Sequence, residues 1–341
     1  MTESQVKSRI LWIVLGFVAI ASLAAGIFLP LLRSDIEASS PQAKSDAKTI
    51  ARALARDEKR MTLPENLNVN FIRQKDEWIG RALVTDADVI SLAKAEEVDV
   101  VKMKFPELTA KGVLALENEP ITSIDLFRPI MDFEAMEALS KLKTLENLCI
   151  SGSRSLDDKL FLHLSGPPGL RRLNVRDTGI TDEFIVHVVQ VYPDLEKINL
   201  RKCKRVTTLA IETLRSMKKL KAVNLSNVIV DRAGVTSLSK FKHLATLQMV
   251  ETGFGDSFFN ELRNSEIVVF DVSENAIGDA GLLLAAKMPK LKKLIAMRCP
   301  NLTESGIKKF ARLRPDVKLV VAKGKNKKKE QSNSNTKDLL F

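Results

Sequence analysis

From Val98 to Val321 the apolar residues recur with one spacing, and this recurrence constrains the fold more than any other property of the chain. Each unit opens L-x-x-L-x-L and continues with apolar residues four apart. Leu170, Leu173 and Val175 open one unit, which Phe184 and Val188 continue. Leu195, Ile198 and Leu200 open the next, followed by Cys203, Val206, Ala210 and Leu214. Units in this frame start at Val98, Ile121, Leu145, Leu170, Leu195, Leu220, Leu244, Ile267 and Leu291, 23 to 25 residues apart. Those from Leu145, Leu195 and Leu291 carry one extra residue in the loop after the opening segment. The period of two predicts a short strand, and the spacing of four predicts a helix. Neither element buries its apolar face alone, so neighbouring units must stack and share one core. The expected fold is an α/β solenoid with a curved parallel sheet inside and helices outside.

These units resemble leucine-rich repeats of the ribonuclease-inhibitor-like and cysteine-containing subclasses. Cys203-Lys-Arg-Val206-Thr and Cys299-Pro-Asn-Leu302-Thr stand nearest the second. The resemblance implies protein binding on the concave sheet. It also implies that one slot in each unit points inward and satisfies backbone groups of the turn. Cys203 and Cys299 fill that slot, with Ser153, Thr178, Thr252 and Asn275 elsewhere.

A terminal repeat needs a cap. Residues 67–97, with Trp78, Ile79, Leu83, Val84, Ala87, Val89, Ile90 and Leu92, read as a degenerate first repeat. The repeat domain proper is expected over 98–322, closed by a strand at Val317 to Val321. A Lys-rich, disordered tail follows over 323–341.

Ahead of the repeats, Ile10 to Leu32 run 23 residues without a charge. About 20 apolar residues span a bilayer as a helix, and Trp12 suits its interface. The segment is read as an uncleaved transmembrane anchor. Residues 1–9 are its short flank and 33–66 a polar, partly helical stalk. Lys7 and Arg9 in the flank put the amino terminus in the cytoplasm by the positive-inside bias. The repeats are then expected on the extracytoplasmic side of a single-pass protein.

Composition excludes several activities. Only three cysteines (Cys149, Cys203, Cys299) and three histidines (His163, His187, His243) occur, without metal-ligand spacing. Cys203 and Cys299 lie four repeats apart, about 20 Å at one strand per repeat, beyond disulfide reach. Aromatic residues make up 5% of the chain, too few for a base-stacking surface, so nucleic acid is not the expected partner. No Walker A or G-x-G-x-x-G segment is present. Asp182, Asp231, Asp256 and Asp279 each precede an outer helix and read as N-caps. Gly112, Gly234, Gly281 and Gly306 recur at one position and read as sites of close helix–sheet approach. No catalytic residue, metal or cofactor is expected.

What remains is the outward face of the strands. Its central positions include Asn174, Asn199, Asn224 and Gln248, four successive amides expected to hydrogen-bond along the stack. Arg172, Arg176, Lys197 and Arg201 flank them, with Lys202, Lys204 and Arg205 at the loop edge. Like charges on adjacent strands oppose each other. Two neighbouring repeats of a chain with net charge +11 thus concentrate cations that call for an anionic counterpart. The expected contact residues are Arg172, Asn174, Arg176, Lys197, Asn199, Arg201 and Asn224. The expected partner is a protein with an acidic surface. An anionic polymer or lipid headgroups, held in an envelope-structural role, are the alternative.

Overall fold

In a computed structural model of the chain, residues 70–321 are described, apart from 81–82, 96–97 and 105. The expected anchor (10–32), stalk (33–66) and Lys-rich tail (323–341) lie outside the described residues, as do the first residues of the expected cap. Among the described residues no helix is long and apolar enough to cross a membrane. The chain divides between Ile72 and Arg73, and the repeats belong to the second unit.

In that unit one strand and one helix alternate, as the two apolar periods require. The strands are β2 (Glu77–Gly80), β3 (Val100–Lys104), β5 (Ser123–Phe127), β7 (Asn147–Ser151), β8 (Arg172–Asn174), β9 (Lys197–Asn199), β10 (Ala222–Asn224), β11 (Thr246–Gln248), β12 (Val269–Asp271), β13 (Lys293–Ile295) and β14 (Lys318–Val320). They lie side by side in chain order, and every registered pair is parallel. A separate short pair joins β4 (Glu107–Leu108) to β6 (Ile130–Met131), and β1 (Phe71–Gln74) crosses the division between the units. The helices are α1 (Asp86–Ala95), α2 (Ala110–Leu114), α3 (Phe133–Leu139), α4 (Asp158–Phe161), α5 (Asp182–Val191), α6 (Thr208–Leu214), α7 (Arg232–Leu238), α8 (Phe259–Leu262), α9 (Asp279–Ala285) and α10 (Glu304–Leu313). Packed helices need about 8–10 Å and strands about 4.8 Å, so such a stack bends towards its sheet.

The core is the set of residues that the repeat placed inside. Leu148, Leu173, Ile198, Val223, Leu247, Phe270 and Leu294 form one buried row across the sheet. Phe184, Ala210, Val235, Phe259, Leu282 and Phe310 meet the core from the helices. Burying each large side chain is worth about 1.5–3 kcal/mol, and no repeat owns the core it fills. Trp78, Val84, Val89 and Leu92 bury in the same way around β2 and α1, whereas Leu83 is exposed.

The inward slot holds the turns together. Thr178 donates its hydroxyl to Val175 O at 2.7 Å, and Cys203 points its thiol at the same carbonyl at 3.1 Å. Asn275 donates to Met249 O and Val272 O while its own oxygen accepts from the amides of Thr252 and Phe254. Ser153 departs from this pattern and bonds Ser155 instead. Burial raises the Cys203 thiol to a pKa of about 11 and raises Cys299 as well. Cys149, Cys203 and Cys299 are all free thiols.

A feature invisible in the residue types follows β5 and each strand from β8 to β13. Arg128, Asp177, Lys202, Asn227, Glu251, Glu274 and Arg298 all have φ between 52° and 63°. Left-handed backbone costs a non-glycine residue about 1–2 kcal/mol. Each of the first six donates its N–H to a carbonyl of the next repeat, as Asp177 does to Arg201 O at 2.8 Å and Lys202 to Ser226 O at 2.9 Å. The turn thereby prolongs the interstrand ladder beyond the strand, which offsets the cost.

The helix starts correct two expectations. Of the four aspartates read as N-caps, only Asp231 is one, accepting from Gly234 N at 2.8 Å. Asp182 and Asp279 sit one residue inside helices capped by Thr181 and Gly278, and Asp256 opens a 3-10 turn after Gly255. Their carboxylates reach forward to the next repeat. Asp182 accepts from Thr207, Asp279 from Thr303, and Asp256 from Gly278 N at 2.8 Å. Asp86 and Asp158 clasp Thr109 and Thr181 in the same manner. Gly112, Gly281 and Gly306 answer to these clasps, whereas Gly234 lies against Val230, Thr208 and Ile211. A Cβ on Gly281 would lie 2.3 Å from Asp256 Oδ1, and one on Gly112 would lie 2.2 Å from Asp86 Oδ1.

Candidate binding face

β8, β9 and β10 place the predicted residues in three columns across the sheet. Arg172 pairs in register with Lys197, which pairs with Ala222. Asn174, Asn199 and Asn224 form the next outward column. Arg176 and Arg201 follow two residues beyond the asparagines, at the strand exits.

Three of the four amides turn their oxygens to local backbone rather than along the stack. Asn174 Oδ1 accepts from Arg176 N at 3.2 Å, Asn199 Oδ1 from Arg201 N at 3.0 Å, and Asn224 Oδ1 from Ser226 N at 2.9 Å. Asp271 does the same with Ser273 N. Each side chain closes a local turn two residues on, the habit of Asn and Asp at chain reversals. Asn199 and Asn224 are also only 1% exposed. A ligand on this face therefore meets Arg172, Asn174, Arg176, Lys197 and Arg201, and the two deeper amides support the backbone beneath it.

The cations differ in their surroundings. Arg172 is exposed and donates to Asn147 Oδ1 at 3.0 Å. Arg176, Lys197 and Arg201 are half-buried. The Lys197 ammonium is held below its ordinary pKa, first by burial and then by the charge of Arg172. Two N–H donors in this patch, Asn199 Nδ2 and Arg201 Nε, are buried without an acceptor among the described residues.

Charges one column away are balanced. Arg171 bridges Glu146 and Glu196 at 3.9 and 3.2 Å, and Lys221 reaches Glu196 at 2.9 Å. These bonds, led by that from Lys221, hold the Glu196 carboxyl below its usual pKa. Further along, Glu251 accepts from Asn227 Nδ2, and Glu274 pairs with Arg298. At the loop edge Lys202 and Lys204 are exposed, while Arg205 donates to Gly179 O.

Little on this face suits bond-breaking chemistry. Cys149 lies beside Asn174 in the central column, and burial, then Asp125, raise its thiol well above its ordinary pKa. His187 is in α5 against Leu164 O, His163 stacks on Phe133 at 4.7 Å, and His243 is in the loop before β11. Among the described residues no three of His, Cys, Asp and Glu come together as a metal site. One residue that the repeat pattern concealed is Arg314. Its guanidinium donates to Ala286 O, Met288 O and Leu291 O and pairs with Asp316.

No family model matches the chain. Among solved structures, the chain is similar to an internalin from Listeria monocytogenes, with 13% identity over 74% of this chain and 87% of that one, at a TM-score of 0.45. It is likewise similar to a chain of the Rad7–Elc1 complex of yeast, with 13% identity over 94% of each chain, also at a TM-score of 0.45.

Proposed function

We propose that the chain is a membrane-anchored, non-catalytic leucine-rich repeat scaffold, nearest the cysteine-containing subclass, that holds an acidic protein partner on its open sheet face. One observation carries the reading: Arg172 and Lys197 stand in register on adjacent strands, two cations side by side on the sheet face. Like charges so placed oppose each other, and a carboxylate between them removes the conflict. The unmatched donors Asn199 Nδ2 and Arg201 Nε lie in the same patch and also call for an acceptor. The raised pKa of the Cys149 thiol favours a binding role over nucleophilic catalysis.

The test is charge reversal at Arg172, Arg176, Lys197 and Arg201 together, read by in-cell crosslinking and identification of captured proteins. The expected result is loss of the acidic members of the captured set. An unchanged set overturns the assignment. The second reading, an anionic polymer or lipid headgroups on the same cations, is favoured by the net charge of +11. It predicts binding that falls steeply with salt, whereas a shape-matched protein contact falls less. The anchor and the extracytoplasmic placement rest on Ile10 to Leu32 with Lys7 and Arg9. Protease added to intact cells removes a C-terminal epitope in that orientation, and protection until lysis overturns it.

A further inference from the structure

The loops that lead from each helix into the next strand form one edge of the repeat stack, and their charges do not balance. Between residues 140 and 317 every carboxylate in these loops is ion-paired. Glu146 and Glu196 hold Arg171, Asp194 holds Lys219 at 2.8 Å, Glu266 faces Lys290 at 4.0 Å, and Asp316 binds Arg314 and Lys292. Lys141, Lys143, Arg215, Lys218, Lys240 and Lys242 are all exposed on the same edge and make no ion pair among the described residues. The opposite edge carries the aspartates of the caps and clasps, including Asp157, Asp182, Asp231 and Asp279. Arg201, Lys202, Lys204 and Arg205 stand on that same edge, so the domain is positive along one rim and mixed in sign along the other.

Arg215 stands at the C-cap of α6, but helix ends do not account for the cations further along these loops. A helix C-terminus favours positive charge only within its last turn. Lys143, Lys218 and Lys242 stand at one repeat position, four residues beyond the last residues of α3, α6 and α7. Arg215, Lys218, Lys240 and Lys242 also line a hollow of about 300 Å³ between their two loops, over a buried floor of Met217, Leu220 and Phe241. What the edge offers is a row of separate cations, which suits an extended anionic plane.

We infer that this rim lies on anionic lipid headgroups of the membrane that Ile10 to Leu32 span. The inference rests on the anchored reading above. Residues 33–69 separate the apolar run from the first described residue, so even at full extension the repeats stay within about 130 Å of the bilayer. Each cation near an anionic surface contributes about 1 kcal/mol, and tethering turns contacts that are weak singly into an occupied state. Removing one cation weakens the contact about fivefold. The opposite rim, of mixed charge, turns away from the surface and leaves the sheet face open to its partner.

The experiment uses the full chain in vesicles of phosphatidylcholine alone or with phosphatidylglycerol added. A fluorophore is placed by Ser216→Cys on the basic rim or Ser155→Cys on the opposite rim, in a Cys149→Ser background. Energy transfer to a lipid-borne acceptor reports distance. The expected result is strong transfer from position 216 and weak transfer from 155, in phosphatidylglycerol vesicles only. Reversal of Arg215, Lys218, Lys240 and Lys242 to glutamate, or high salt, returns position 216 to its neutral-vesicle value. Equal transfer in both vesicles, indifference to the reversal, or a response to poly-glutamate in place of vesicles overturns the inference. Retention on phosphatidylcholine vesicles after an alkaline wash reads the anchor separately. Its loss overturns the anchored reading, while the rim is still read from transfer on anionic vesicles.

Discussion

The carboxylate of Asp182 accepts from both the amide and the hydroxyl of Thr207, one repeat further on, at 2.8 and 2.6 Å. Thr207 in turn caps α6 by accepting from Leu209 N at 3.2 Å. A residue at one helix start thus orders the next, and the contact recurs from Asp158 to Thr181 and from Asp279 to Thr303. Cutting it removes two hydrogen bonds to a charged group. Asp182→Ala is expected to cost about 1–3 kcal/mol, and Thr207→Val a similar amount, because it removes the cap of α6 together with one bond of the clasp. In the double variant the losses should fall short of additivity in urea unfolding. Full additivity would show that the pair does not couple.

Gly281 tests the same clasp from the other side. Its missing side chain leaves room for the Asp256 carboxylate, and a Cβ there would sit 2.3 Å from Oδ1. Gly281→Ala is expected to destabilise by about 1–3 kcal/mol, although alanine is the better helix former. In an Asp256→Ala background the same change should become neutral or favourable. Thermal unfolding of the four proteins decides it.

Arg314 closes the stack. Its guanidinium gathers three carbonyls of the preceding loop and is fixed by Asp316, with N–O distances of 2.9 and 3.0 Å. That bond holds the Asp316 carboxyl far below its usual pKa and raises that of Arg314. Arg314→Met strands these groups and should cost about 2–4 kcal/mol. Lysine should not rescue, since one ammonium lacks the planar fork. Hydrogen exchange should show the loss first in β13, α10 and β14.

Acid should loosen the repeats through particular carboxylates. Asp231 and Asp279 are held below their ordinary pKa, first by the hydroxyls of Thr208 and Thr303, and Glu196 first by Lys221. A carboxylate depressed in the folded state contributes stability above its unfolded pKa and loses it as pH falls through the folded one. The thermal midpoint should be level near neutrality and fall below about pH 4. Asp231→Asn should lower the midpoint at neutral pH and make the acid limb shallower. An unchanged limb would count against this origin.

The repeat frame was readable because burial acts on residue type. Leu173 and Ile198 had to face a core, so their period announced strand and helix, and the extra loop residues after Leu145, Leu195 and Leu291 show as caps at Asp157, Thr207 and Thr303, one position later than in neighbouring units. The outward columns were also readable, since alternation fixes which face a strand residue takes. Polar partners were not. An aspartate beside a helix start can cap its own helix, as Asp231 does, or the next, as Asp182 does, and composition is the same in both cases. The left-handed backbone at Asp177, Lys202 and Glu274 left no glycine to betray it, because hydrogen bonds across the stack offset its cost. The burial of Asn199 and Asn224 under a face read as open is of the same kind. By itself the sequence determined the repeat, the core and the residues on each face, all set by local apolar spacing. Only the tertiary structure decided which polar groups meet across repeats, because those bonds join residues some 23 to 25 positions apart whose distance and angle exist only once the units have stacked.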